Sequence, residues 1–98
     1  MVFSIISFSQ TTGKISGRVF DKTDGNALPG ANVILVGTSM GAAADNNGDF
    51  YIINVRPGKY NVRVQMIGYN PVTVQDVRVS VNRTEYLEIG MTSTVLKG

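Results

Sequence analysis

Apolar and polar residues alternate along most of this chain, with a period of two residues rather than the 3.6 of a helix. The alternation is clearest from Lys59 to Met66, where every second residue is apolar. A period of two places successive side chains on opposite faces of a β-strand, so this segment is predicted to be a strand with one face in water. Lys14–Asp21 and Leu87–Met91 show the same alternation and are also predicted to be strands.

Two strand candidates in the middle of the chain have weaker patterns. Ala31–Val36 is apolar at nearly every position, so we expect it to be covered on both faces or to lie centrally in its sheet. Ala42–Ala44 consists of good helix formers, but three residues between turn signals are too few to nucleate a helix. This segment is therefore predicted to be a short strand.

A tight turn and a further strand are predicted next. Asn47-Gly48 is a strong signal for a two-residue hairpin, because a type I′ turn requires positive φ at both central positions. In the strand that follows, Phe50 and Ile52 are expected to face inward, and Tyr51 is expected to face the other way.

The valines near the end of the chain change phase. Val72 and Val74 occupy one face of a predicted strand, whereas Val77 and Val79 have the opposite parity. The slip lies near Gln75-Asp76 and predicts a β-bulge or a sharp bend there.

Seven short strands and no helix follow from these patterns, with Gly, Pro and Asn turns between them. This combination predicts an all-β fold, either a seven-stranded sandwich or a small barrel. No pattern is present after Thr92, where no regular structure is expected.

The absence of both cysteine and histidine restricts the chemistry that is open to this chain. It excludes disulfides, thiolate zinc sites and thiol chemistry, and it removes the commonest general base and transition-metal ligand. We therefore expect no catalytic, metal-binding or cofactor-binding residues and predict that the chain is not an enzyme. No apolar run reaches the length of a membrane-spanning helix, so we expect that the domain does not itself cross a membrane.

The basic residues are scattered along the sequence, and the net charge is only +2. They are expected to lie on solvated strand faces, with no nucleic-acid partner. The most relevant positions are Arg18, Lys59, Arg63, Arg78 and Arg83.

Two groups of acidic residues are interpreted as turns. The oxygen-rich stretch Asp45–Asp49 lacks the further carboxylates and the closing glutamate of a calcium loop. Asp21 and Asp24 could form an acid–base pair, but their position beside Gly25 is typical of turn chemistry.

Three tyrosines, Tyr51, Tyr69 and Tyr86, are the candidate contact residues. An exposed tyrosine can stack on a sugar or anchor a protein partner. Phe20, Tyr51 and Tyr86 on outer strand faces could equally pack against a neighbouring domain, and filling of the core or its rim is the ordinary alternative.

The N-terminus is apolar and uncharged. Ser7-Phe8-Ser9 has the small-x-small form of a signal-peptidase site, with cleavage before Gln10, although the usual positive start is missing. Residues 1–9 are therefore predicted to be a signal-peptide remnant, the alternative being an N-terminal segment that is frayed or pairs with the domain. Residues 10–93 are predicted to form one domain, and residues 94–98 a linker to a downstream region.

An ordered set of short motifs resembles the carboxypeptidase regulatory-like domain, a transthyretin-like Greek-key β-sandwich of seven strands. The resemblance covers Gly13 to Met91. The motifs are Gly13-x-Ile15-x-Gly17-x-Val19-x-Asp21, Gly25-x-x-Leu28-Pro29-Gly30-Ala31-x-Val33, Gly37-Thr38-x-x-Gly41, Asp45-x-x-Gly48-x-Phe50-x-Ile52, Pro57-Gly58-x-Tyr60 and Gly68-Tyr69.

Within this family, Leu28–Val33 and Gly37–Ala43 are similar to the domains that follow the signal peptide of TonB-dependent outer-membrane receptors. The resemblance implies secretion across the inner membrane and a place in the periplasm, ahead of a plug and a β-barrel that would be the partners. The alternative is an extracellular binding or spacer module that contacts carbohydrate or protein at the cell surface. Transthyretin-like hydrolases use histidines that this chain lacks, so their activity is not expected.

Overall fold

The computed structural model describes residues 11–94, which form seven strands in two sheets and contain no helix. One sheet has the order β4-β1-β7 and the other has the order β3-β2-β5-β6. Neighbouring strands are antiparallel except for β1 and β7, which are parallel. The predicted seven-stranded sandwich is confirmed. The strands are β1 (Gly13–Asp21), β2 (Asn32–Leu35), β3 (Gly41–Ala43), β4 (Asp49–Val55), β5 (Gly58–Gln65), β6 (Val72–Val79) and β7 (Thr84–Met91).

Alternate residues of both sheets form the core between them. Ile15 and Val19 of β1 and Val62 and Val64 of β5 belong to one hydrophobic cluster, and all four are fully buried. The polar residues between them point away from the core. The faces predicted from the period of two are confirmed for both strands.

Phe50 is the largest fully buried side chain, and a glycine makes room for it. A Cβ atom built on Gly17 would lie 2.7 Å from Cε2 of the Phe50 ring and would collide with the backbone oxygen of Leu87. Gly17 therefore allows the ring to lie against β1 in the close-packed interior.

The weakly patterned strand β2 is central in its sheet, between β3 and β5. Val33 and Leu35 are fully buried, whereas Ile34 is half-buried and Val36 is 45% exposed. Of the two predicted explanations for its apolar run, central position is correct and coverage of both faces is not.

The prediction of a type I′ hairpin at Asn47-Gly48 is wrong. Gly48 has a φ of 80°, but Asn47 is not among the residues with positive φ. The carboxylate of Asp45 caps the turn instead, because its Oδ1 accepts the amides of Asn47 (2.9 Å) and Asp49 (3.0 Å). The turn carries the chain from β3 in one sheet to β4 in the other, so these two strands do not pair with each other.

The bulge predicted near Gln75-Asp76 is confirmed. On β5, Tyr60 and Val62 are two residues apart. Their partners on β6, Val77 and Val74, are three residues apart, so β6 contains one additional residue at this point. Asp76 adopts a φ of 58°, which the bulge requires and which an aspartate tolerates better than most residues.

The expected loss of structure after Thr92 is wrong for the two residues that follow it. Ser93 forms an isolated antiparallel bridge with Tyr69, and the amide of Thr94 donates to the carbonyl oxygen of Gly68 at 2.8 Å. Such pairing has no signal in a period-two pattern, because it covers only one or two residues. The predicted signal-peptide remnant, residues 1–9, lies outside the described residues, as do residues 95–98 of the predicted linker.

Candidate binding surface

Tyr51 and Tyr86 flank β1 on the outer face of the three-stranded sheet, because both pair with the same residue of β1. Ser16 is opposite Tyr51 of β4 on one side and opposite Tyr86 of β7 on the other. Since neighbouring strands are about 4.8 Å apart, the two tyrosine backbones are about 10 Å apart, with a small serine between them. Tyr51 is 62% exposed and Tyr86 is 54% exposed.

Ile53 extends this exposed surface along β4. It lies two residues after Tyr51, on the same face of the strand, and is 55% exposed. Together, Ser16, Tyr51, Ile53 and Tyr86 are here called the tyrosine face. The sequence pattern already indicated that Ile53 points outward, but only the sheet order places it on the same sheet face as Tyr86.

A row of charged residues lies next to the tyrosine face. Arg18 is opposite Asp49 on one side and opposite Glu88 on the other. Its guanidinium donates to the carbonyl oxygen of Gly25 at 3.2 Å and lies 5.6 Å from the centre of the Phe20 ring. The cation is thus engaged with the adjoining loop and ring, and it borders the tyrosine face without covering it.

The hydroxyl of Tyr86 remains protonated in this setting. Partial burial raises the pKa of the Tyr86 phenol, and the negative charges of Glu88 and Asp49 raise it further. A neutral phenol both donates and accepts hydrogen bonds, so the polar edge of the face can bond either kind of partner group.

Tyr69 does not join the other two tyrosines. It is half-buried in the connection between β5 and β6, and its hydroxyl donates to Oδ2 of Asp21 at 2.7 Å. Asp21 also accepts the amide of Thr23 at 2.7 Å. The hydrogen bond from Tyr69 is the largest cause of the lowered pKa of Asp21. Tyr69 thereby fastens the four-stranded sheet to the end of β1, which is a structural role.

An open depression lies beside Tyr69 at this end of the sandwich. Its volume is about 630 Å³, and Met66, Ile67 and Pro71 are among its lining residues. Ile67 is 97% exposed at the tip of its turn. The partner contact predicted for Tyr69 therefore stays a prediction, made at a different surface from that of Tyr51 and Tyr86.

The acidic turns act as hydrogen-bond acceptors for the backbone. Asp45 caps its own loop, as described above, and Asp24 accepts the amide of Asn26 at 2.9 Å. In residues 11–94, no group of three or more acidic side chains is placed to hold a metal ion. The interpretation of both stretches as turns agrees with these contacts.

Comparison with known families identifies the fold family. The model of the carboxypeptidase regulatory-like domain matches residues 14–92, from β1 to the end of β7. The chain belongs to this family. Carboxypeptidase D of Homo sapiens is 32% identical to this regulatory-like domain over 81 residues, which is 83% of the chain. Carboxypeptidase D of Anas platyrhynchos is 29% identical over 82 residues, or 84% of the chain. The chain spans only 6% of the length of each of these relatives.

Solved structures with the same fold include chains of bacterial proteins. A chain of a mutant type II cohesin–X-dockerin complex from Acetivibrio cellulolyticus has a TM-score of 0.69 and 28% identity, over 81% of this regulatory-like domain and 56% of that chain. GBS52, the minor pilin of Streptococcus agalactiae, has a TM-score of 0.66 at 14% identity, over 92% of this domain and 48% of the pilin. At this low identity, the similarity to the pilin shows only that the two proteins share a fold. The chain is a non-catalytic β-sandwich domain of the carboxypeptidase regulatory-like family. Residues 11–94 contain no helix that is long and apolar enough to cross a membrane.

Proposed function

We propose that this regulatory-like domain is an accessory domain of a larger secreted bacterial protein, and that its tyrosine face docks onto another domain of that protein. The observation that carries the proposal is the grouping of Tyr51, Ile53 and Tyr86, each more than half exposed, on one face. Exposed apolar residues are usually scattered singly, whereas a contiguous group marks an interaction surface. Tyrosine is favoured at such surfaces, because its ring is apolar and its hydroxyl still finds a hydrogen-bond partner.

The parent protein that we infer is a TonB-dependent outer-membrane receptor. Two stretches, Leu28–Val33 and Gly37–Ala43, support this inference through their resemblance to domains of that class, as does the signal-peptide character of residues 1–9. The domain would then lie in the periplasm, with the plug or the barrel as its docking partner. A parent of this kind contains a plug and a series of strands, each about ten residues long, in which apolar and polar residues alternate. The sequence of the gene beyond this domain tests the inference, because both features can be recognised there.

Thermal unfolding of the domain inside and outside its parent tests the docking. An interaction that exists only in the folded state raises the unfolding temperature. We expect the domain to unfold at a higher temperature in the parent than as the isolated chain. Replacing both tyrosines, Tyr51→Ser with Tyr86→Ser, is expected to abolish this increment without changing the isolated chain.

Ile67→Ser provides the matched control, because Ile67 is an exposed apolar residue on a different surface. The increment is expected to persist in this variant. Equal increments in the wild-type protein and the double tyrosine variant would show that the tyrosine face does not dock.

The alternative function is glycan binding by an extracellular module, and the spacing of the tyrosines favours it specifically. Two exposed tyrosines whose backbones are about 10 Å apart on one sheet face offer rings on which sugar rings can stack. Saturable binding on a glycan array, lost in Tyr51→Ala and Tyr86→Ala but kept in Tyr69→Ala, would establish this function. An array without signal would leave docking within the parent as the function of the face.

A further inference from the structure

The outer face of the four-stranded sheet collects basic residues that are scattered in the sequence. Lys59 and Arg63 project outward from β5, and Arg78 projects from β6 on the same side. Asn61 lies between the two basic residues of β5. These four residues are here called the basic face. It lies on the opposite side of the sandwich from the tyrosine face.

The two sheets differ in charge. The strands of the four-stranded sheet contain three basic residues and one acidic residue, Asp76. Those of the three-stranded sheet contain two basic and four acidic residues. The net charge of the chain is small because a positively charged sheet and a negatively charged sheet largely cancel.

Lys59 and Arg78 are direct cross-strand partners. Like charges opposite each other on adjacent strands destabilise a sheet. Both residues are exposed, and neither makes an ion pair or a side-chain hydrogen bond within residues 11–94. Since folding gains nothing from this pair of cations, a function outside the fold explains it better than stability does.

The surroundings of the basic face indicate the kind of anion that it suits. Ile34 pairs with Arg63 on the neighbouring strand, and Val36, beside Asn61, is 45% exposed. The face has apolar contact area along one side. None of the outward residues of β2, β5 and β6 is aromatic, so nucleic-acid bases and sugars have no ring on which to stack. Carboxylates combined with apolar side chains match this surface.

We propose that the basic face binds an acidic, partly apolar segment of another polypeptide. The Lys59–Arg78 pair and Arg63 are four residues apart along β5, or about 13 Å at the rise of a strand. An extended segment with acidic residues four positions apart places one carboxylate at each end of this distance. An open depression of about 550 Å³, lined by Lys59 and Arg78, receives the carboxylate at one end.

Fluorescence anisotropy with a labelled nine-residue peptide, Ser-Ser-Glu-Ser-Val-Ser-Glu-Ser-Ser, tests the proposal, because an extended chain presents its two glutamates, four positions apart, and the valine between them on one face. We expect saturable binding that weakens as salt is raised, because the contacts are exposed charges. Lys59→Gln combined with Arg78→Gln is expected to weaken binding about tenfold, which corresponds to the loss of two exposed ion pairs. The unfolding temperature of this variant should stay the same or rise, since the like-charge pair is removed.

The matched control combines Lys14→Gln with Arg83→Gln, which removes the same net charge from outside the basic face. This control should weaken binding about twofold or less, because the charges it removes lie outside the peptide site and are screened by salt. Equal losses in the two variants, no saturable binding of the peptide, or binding of inorganic polyphosphate alone would each overturn the proposal. Peptide binding that is unchanged in Tyr51→Ser/Tyr86→Ser would show that the basic face acts independently of the tyrosine face, so the two proposals can fail separately.

Discussion

Replacing Val62 by aspartate places a carboxyl group at the centre of the sandwich. Val62 is fully buried on β5, between Leu35 of β2 and Val74 of β6. Losing the valine side chain costs about 1.5–3 kcal/mol of hydrophobic burial. Since no buried cation is present nearby in residues 11–94, the new carboxyl group must be protonated when the domain folds.

The size of the effect follows from the pKa of the new group. Protonating an aspartate with an unfolded pKa of about 3.9 at pH 7 costs about 4 kcal/mol, and an unpaired carboxyl group adds about 1–3 kcal/mol. The expected loss is on the order of 7–10 kcal/mol, which approaches or exceeds the stability of roughly 5–15 kcal/mol that is typical of a domain. Val62→Asp is therefore expected to be largely unfolded at pH 7.

Far-UV circular dichroism, with thermal and urea melts at pH 7 and pH 5, measures this effect. The folded pKa of the new group is raised, so its penalty is largest above that pKa and falls as the pH approaches 3.9. About 3 kcal/mol of stability should return between pH 7 and pH 5. Val62→Asn, which cannot ionise, should show no such recovery. Lys59→Asp on the outer face should alter stability by about 0.5 kcal/mol or less.

The assignment of faces is refuted by one simple outcome. If Val62→Asp melts within about 5 °C of the wild-type protein at pH 7, Val62 does not lie in the core.

Three further predictions concern the packing and the turns. Gly17→Ala should lower stability by about 1–3 kcal/mol or more in urea denaturation, because its Cβ would lie 2.7 Å from the Phe50 ring. Gly48→Ala should also be destabilising in the same assay, because its φ of 80° is left-handed and its Cβ would lie 2.5 Å from a backbone oxygen. Tyr69→Phe should lower the unfolding temperature by removing the hydrogen bond to Asp21. That bond lowers the pKa of Asp21, so it stabilises the wild-type domain above pH 3.8, and this stability is lost as the pH falls through the lowered folded pKa. Melts of Tyr69→Phe should therefore show a smaller loss of stability as the pH is lowered.

The period of two residues contained most of the information about the individual strands. It predicted the inward residues of β1 and β5, and the phase slip of the valines correctly located the bulge at Asp76. These features are local, because each depends only on whether a residue and its second neighbour share a face.

Strand pairing was much less accessible, because it depends on contacts between distant segments. The turn at Gly48 was recognised, but nothing in its sequence shows that β3 and β4 enter different sheets. The same limit applies to both surfaces. Tyr51 and Tyr86 are neighbours only because β4 and β7 both pair with β1, and Lys59 lies opposite Arg78 only through the register of β5 and β6.

Hydroxyl-radical footprinting of the full parent protein, compared with the isolated chain, tests docking through the tyrosine face most directly. Tyr51 and Tyr86 are expected to react in the isolated chain and to become protected in the parent, whereas the exposed Ile67 should react in both. Equal labelling of both tyrosines in the parent and in the isolated chain would contradict a docked tyrosine face.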